Sequence, residues 1–262
     1  MTVKIINRWL WHQRKILILS ILSWLLLELG LIWGGVGFIF WLALAILVLW
    51  GYNWIWQGAK TPVDWSGLLY IWVLSFALIL MPGFVLINPL YLHVVYLLFV
   101  AFIALLFNLS KKRALSEEIS PQQIKLTDFT VLGVLFVELV TWLGITTYFY
   151  LPLWMEAIGL AVIAYSTLLF AFNYRELSLK RFWLYLIVLG IIWFQTAWLL
   201  GFWFTNDLYK SLIFVAFYYL FFELLRYWIT GRLTDRIIRE YVVAALLVIS
   251  LSLIANLFFV LL

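Results

Sequence analysis

The sequence predicts an all-α fold, a polytopic transmembrane helical bundle of about nine spans built from consecutive helical hairpins. Three observations predict it. Of 262 residues, 67% are hydrophobic and only 11% are charged, against roughly a quarter charged in soluble domains. Long apolar runs are divided by short polar breaks, and the basic residues fall almost entirely in every second break. A chain of this composition has too little polar surface to enclose its apolar residues in water, so the bilayer is its natural solvent.

The runs place spans at 15–31, 34–51, 68–86, 90–108, 129–148, 153–172, 182–203, 208–226 and 241–261. The basic start, "MTVKIINRWLWHQRK", resembles a signal-peptide leader, but another apolar run follows instead of a small-residue cleavage site. An uncleaved first helix is expected. Residues 16–50 are almost continuously apolar and as one helix would be about 50 Å long, too long for a hydrocarbon core of about 30 Å. "GLIWGG" at 30–35 supplies the break for a tight hairpin.

Every Lys and Arg except Lys210 then falls on one side of the nine-span arrangement. By the positive-inside rule the N-terminus is cytoplasmic and the C-terminus outside. The longest polar segments, "NLSKKRALSEEISPQQIKLTD" and "RYWITGRLTDRIIRE", are too short to form a domain with its own core. The chain 1–262 thus reads as a single membrane-embedded helical domain, a multi-pass integral protein of the cell (inner) membrane. Within it, 68–108, 129–172 and 182–226 resemble repeats of one hairpin. After the outer turn each second helix opens on a Leu-aromatic step: "NPLYLH", "LPLWME" and "NDLYKS". Pro89 and Pro152 stand where a helix start tolerates proline.

The 17 Trp and 14 Tyr suit the two membrane interfaces. The absence of Cys rules out disulfide and thiolate chemistry. A net charge of +5 is explained by cytoplasmic loops facing anionic lipid, without nucleic acid. Lys111, Lys112 and Arg113, with Arg232, Arg236 and Arg239, are the candidate contacts to that lipid.

Polar residues inside the spans carry the functional argument. Glu138 stands at the centre of "VLFVELVTW", with no Lys or Arg in its span. A carboxyl group at the midplane is expected to be held as the uncharged acid and to face protein rather than lipid. Three uses are open: a hydrogen bond to Gln195, Thr196 or a backbone carbonyl, which would staple two helices; a ligand or proton site lined also by Thr141 and Trp142; or contact with a second protein's helix. Glu223 has a plainer explanation, because Arg226 lies three residues on and both reach the cytoplasmic headgroups. Glu28 leans toward the outer interface. At the outer rim stand His93, Glu156, Asp207 and Lys210; the two acids suit helix N-termini on dipole grounds, and Lys210 suits an ion pair or the mouth of an anion path.

Motifs of reaction chemistry are absent: no HExxH, no Gly-rich phosphate loop, no GxSxG. With only His12 and His93, no His-based metal cluster is available, and no cofactor is implied. These absences argue against an enzyme. The first reading is a membrane-embedded scaffold or accessory subunit that binds lipids or the transmembrane helices of another membrane protein. The alternative is a small-solute or lipid transporter using the midplane carboxylate Glu138.

Overall fold

The computed structural model describes residues 2–32, 121–175, 183–203 and 206–261, with scattered helical positions inside 39–51 and 93–108. These residues form six helices: α1 (Thr2–Ile32), α2 (Pro121–Tyr148), α3 (Leu153–Tyr174), α4 (Trp183–Gly201), α5 (Asp207–Ile229) and α6 (Asp235–Leu261). The chain divides into two compact units, Met1–Val134 and Leu135–Leu262.

The all-α class stands, but the count of nine spans does not. Among the described residues there are six helices and five candidate membrane spans, Gln122–Tyr148, Leu153–Phe172, Trp183–Gly201, Asp207–Ile229 and Asp235–Asn256. The orientation that rested on nine alternating breaks, N-terminus cytoplasmic, falls with that count. The boundaries differ too, first at α1. Sequence reading begins a span at residue 15, where charge gives way to apolar residues. The helix instead starts at Thr2 and runs through Lys4, Arg8, Arg14 and Lys15. Lys and Arg are good helix formers, and no Gly or Pro interrupts the stretch before Gly30. A polarity boundary is therefore not a helix boundary. The expected span 68–86 lies outside the described residues, as do parts of 34–51 and 90–108.

α2 shows the same extension. Its expected start at 129 moves back to Pro121, whose fixed φ suits the first position of a helix. The hydroxyls of Thr127 and Thr130 donate to Gln123 O (2.8 Å) and Leu126 O (2.7 Å) of the preceding turn, so the added turns leave no side-chain hydroxyl stranded.

The helix ends are closed locally. After α2, Leu151 N donates to Thr146 O at 2.9 Å, and Tyr150 takes the left-handed φ of 50° that usually belongs to glycine. The ring projects into the surroundings, 92% exposed. Asn206 caps α5, its side chain accepting from Leu208 N at 3.1 Å. At the other end of α5, Gly231 (φ 67°) donates to Trp228 O at 3.1 Å, and Arg232 N donates to Tyr227 O at 2.9 Å. That pair of bonds is a Schellman close.

In the second unit, α3 packs most closely on α4 and α5 on α6, with a thinner contact between α4 and α5. Glycine permits two close approaches. A Cβ on Gly159 would collide with the Trp142 ring, and one on Gly201 would collide with Leu153. Aromatic rings fill the middle: Trp193 of α4 stacks on Tyr218 of α5 (5.3 Å), which stacks on Phe222 (5.9 Å), which meets Phe172 of α3 edge-on (6.0 Å). Between apolar helices in lipid, such packing contacts are the main source of association. Burial grades outward: 56% of the span window is buried in α2 and α3, against 11% in α6. Val243, Leu247, Leu251 and Ile254 accordingly form an exposed apolar row on α6.

Candidate functional site

Two buried carboxylates lie inside spans of the second unit, and they are built differently. On α5 the buried face runs through Ser211, Phe214, Tyr218, Phe222 and Leu225. Glu223 falls beside that stripe and is only 2% exposed. One turn on, Arg226 brings Nη2 to 2.6 Å from Glu223 Oε2. Arg175, immediately after α3, brings Nη2 to 3.7 Å from Oε1. Tyr241 of α6 donates its hydroxyl to Oε2 at 3.4 Å.

The cations are held by rings as well as by charge. The Arg175 guanidinium lies 5.3 Å from the Phe222 ring centre, and that of Arg226 lies 4.6 Å from the Tyr227 ring centre. Tyr219 and Tyr227 flank Tyr241 at 5.6 and 5.9 Å. A carboxylate from α5 thus ties α3 and α6 to it. The Glu223–Arg226 pair expected from sequence is present, with Glu223 buried and Arg226 partly exposed rather than both reaching for headgroups. Arg175 and Tyr241 were not anticipated. The signal that would have found them is their level: both lie at the chain's basic helix ends, where Glu223 also points.

Glu138 is 1% exposed near the middle of α2, and neither of its oxygens has a hydrogen-bond partner among the described residues. The residues proposed beside it are occupied or turned away. Thr141 donates to Val137 O at 2.8 Å, and Thr196 donates to Ile192 O at 2.9 Å. Gln195 lies on the exposed face of α4. The anticipated hydrogen bond from Glu138 to Gln195 or Thr196 is not formed. Trp193 Nε1 is likewise buried with no partner.

The outer-rim residues separate into two places. His93 Nδ1 lies 2.9 Å from Glu28 Oε1 in the first unit. In the second unit, Glu156 occupies the first turn of α3 and Asp207 the first turn of α5, where the helix dipole favours acids. Asp207 Oδ2 accepts from the Thr147 hydroxyl at 3.1 Å, and the Glu156 carbonyl accepts from Trp142 Nε1 at 3.1 Å. Lys210 and Asp207 are both within electrostatic reach of Glu156, but Lys210 makes no ion pair among the described residues.

Of the lipid-rim candidates, Lys111, Lys112 and Arg113 lie outside the described residues. Arg236 is bound to Glu240 (2.8 Å), and Arg239 Nε donates to Asp235 O (3.4 Å). Arg232 is exposed. No group of three or more His, Cys, Asp or Glu that would suit a metal ion occurs among the described residues.

These features define a class: a polytopic, multi-pass α-helical membrane protein whose buried Glu223 is held in salt bridges. Its apolar helices suit contact with lipid or with another membrane protein. Compared with family models, with curated proteins and with solved structures, the chain matches none.

Proposed function

We propose that the protein is a membrane transporter for a small solute or lipid, with Glu138 as the midplane carboxylate that engages cargo or a coupling proton. One observation carries this reading: a fully buried carboxyl group, inside a membrane span, to which no described side chain or backbone group donates or accepts. A buried polar group without a partner is costly, and ionisable residues at membrane depth mark solute and proton paths. A structural staple would have its bond. Glu138 does not, which favours a partner that comes and goes.

The test is flux in vesicles containing the purified protein. An entrapped pH dye follows protons under an imposed gradient, with uptake of candidate solutes and transbilayer exchange of a fluorescent phospholipid measured in parallel. Glu138→Gln keeps size and hydrogen-bonding capacity but cannot exchange a proton. It is expected to fold and assemble as the native protein does and to reduce flux to the level of empty vesicles. Native flux in the Gln variant would remove Glu138 from the mechanism.

The scaffold reading keeps one supporting observation, the nearly unburied span of α6. A second membrane protein seated on that face would show as added mass when the native complex is extracted in mild detergent. A lone chain would leave the face to lipid.

A further inference from the structure

At the α5–α6 turn the arginines divide into two on α6 whose Nε is bound within that helix and two at the end of α5 whose Nε has no partner among the described residues. Arg236 is matched by Glu240, and Arg239 turns back to its own helix. Arg226 gives one Nη to Glu223, and its guanidinium carbon lies 4.6 Å from the Tyr227 ring centre. Its remaining N–H groups have no partner among the described residues. The Arg232 side chain has none at all among them. The Schellman close then folds the chain back, because the bond from Arg232 N to Tyr227 O holds the Arg232 backbone against the carbonyl of Tyr227, the residue after Arg226. Two arginines with unfilled donors therefore have their backbones brought together at the same end of α5. Guanidinium donors of this kind match the oxygens of a phosphate, which accepts from both.

The surroundings suit an interfacial ligand. Trp228 and Tyr185 meet at 4.5 Å, 42% and 44% exposed, at the same end of the bundle. Paired rings of this kind settle at the headgroup level of a bilayer. We propose that the α5–α6 turn is a phosphate-binding site in which Arg226 and Arg232 are the ligands, taking either the headgroup of an anionic phospholipid or a free phosphate. The site is independent of Glu138 and of whether the protein transports.

The experiment uses the full chain in mild detergent and native mass spectrometry with phosphatidylglycerol and phosphatidylcholine. The native protein is expected to retain phosphatidylglycerol in preference to phosphatidylcholine. Arg232→Gln, an exposed change that leaves Glu223 and Arg226 untouched, is expected to weaken that retention about five-fold, the effect of one cation near an anionic headgroup. Arg236→Gln is expected to leave it unchanged, because Glu240 already occupies that arginine. Inorganic phosphate decides the source. If it displaces phosphatidylglycerol, the site takes the free anion; if phosphatidylglycerol resists it, the site takes the lipid. Undiminished retention in Arg232→Gln overturns the proposal, as does an equal loss in Arg236→Gln, which would leave only diffuse rim charge.

Discussion

Glu223 on α5 and Glu138 on α2 are 2% and 1% exposed, both inside spans, yet only Glu223 is met by charge. Two guanidinium groups and a phenol reach it, from the residue after α3, from α5 itself and from α6. Among the described residues, nothing reaches Glu138. The difference lies in position along the helix. Glu223 stands within two turns of the end of α5, where Arg226 and Arg175 can keep their stems in apolar surroundings while their heads approach the rim. Glu138 stands mid-helix, where a cation long enough to meet it would itself have to be buried. Equal burial therefore carries two meanings. A carboxylate with its charges matched holds helices together, and one left unmatched is kept at a cost that structure alone does not repay.

The largest effect that separates the two is expected from Glu223→Leu. Removing the carboxylate leaves Arg175 and Arg226 facing an apolar side chain at a site where Glu223 and Arg175 are 3% and 8% exposed. Breaking a buried pair from one side typically costs about 3–5 kcal/mol, and a loss in that range is expected here. Denaturant unfolding in mild detergent, followed by tryptophan emission, measures it. A loss below about 1 kcal/mol would place Glu223 among ordinary surface pairs and erase the contrast with Glu138.

How far this was legible in the sequence follows the same line. Apolar runs located all five described spans, because composition alone decides whether a helix can enter lipid. They misplaced the starts of α1, α2 and α6, because Lys, Arg and Gln propagate a helix beyond the lipid boundary. Glu138 could be singled out from its own span, since the absence of a nearby cation is a local fact. The partner it was given, Gln195 or Thr196, failed because residue depth was known and helix rotation was not: Gln195 faces outward, and Thr196 bonds its own backbone. Arg226 was legible at i+3 from Glu223. Arg175 and Tyr241 were not, because they arrive from α3 and α6, and no spacing rule links one helix of a bundle to another.

A smaller effect sharpens the account of Glu223. Tyr241→Phe deletes one hydroxyl whose bond to Oε2 is long at 3.4 Å, while both arginines remain. The expected loss is about 0.5 kcal/mol, the low end for a net hydrogen bond, read by the same unfolding measurement. A loss comparable to that of Glu223→Leu would mean that the phenol, rather than the ion pairs, holds α6 to α5.

The smallest expected change is in the opposite direction. Glu138→Leu removes a carboxyl group that makes no hydrogen bond to any described residue, so no partner is stranded by its loss. The energetic asymmetry of hydrogen bonding then favours the variant: removing one member of a bonded pair is expensive, whereas removing a lone polar group from an apolar site relieves its desolvation. Leu is close in size to Glu and matches its neighbours Leu135 and Leu139, both fully buried. Stability is therefore expected to hold or rise, by less than about 0.5 kcal/mol, while flux in vesicles is lost as it is for Glu138→Gln. Opposite signs for Leu at 138 and Leu at 223, measured in one detergent by one method, are the decisive form of the comparison. A clear destabilisation at 138 would show that Glu138 holds a bond of its own. The two carboxylates would then differ in partner rather than in purpose.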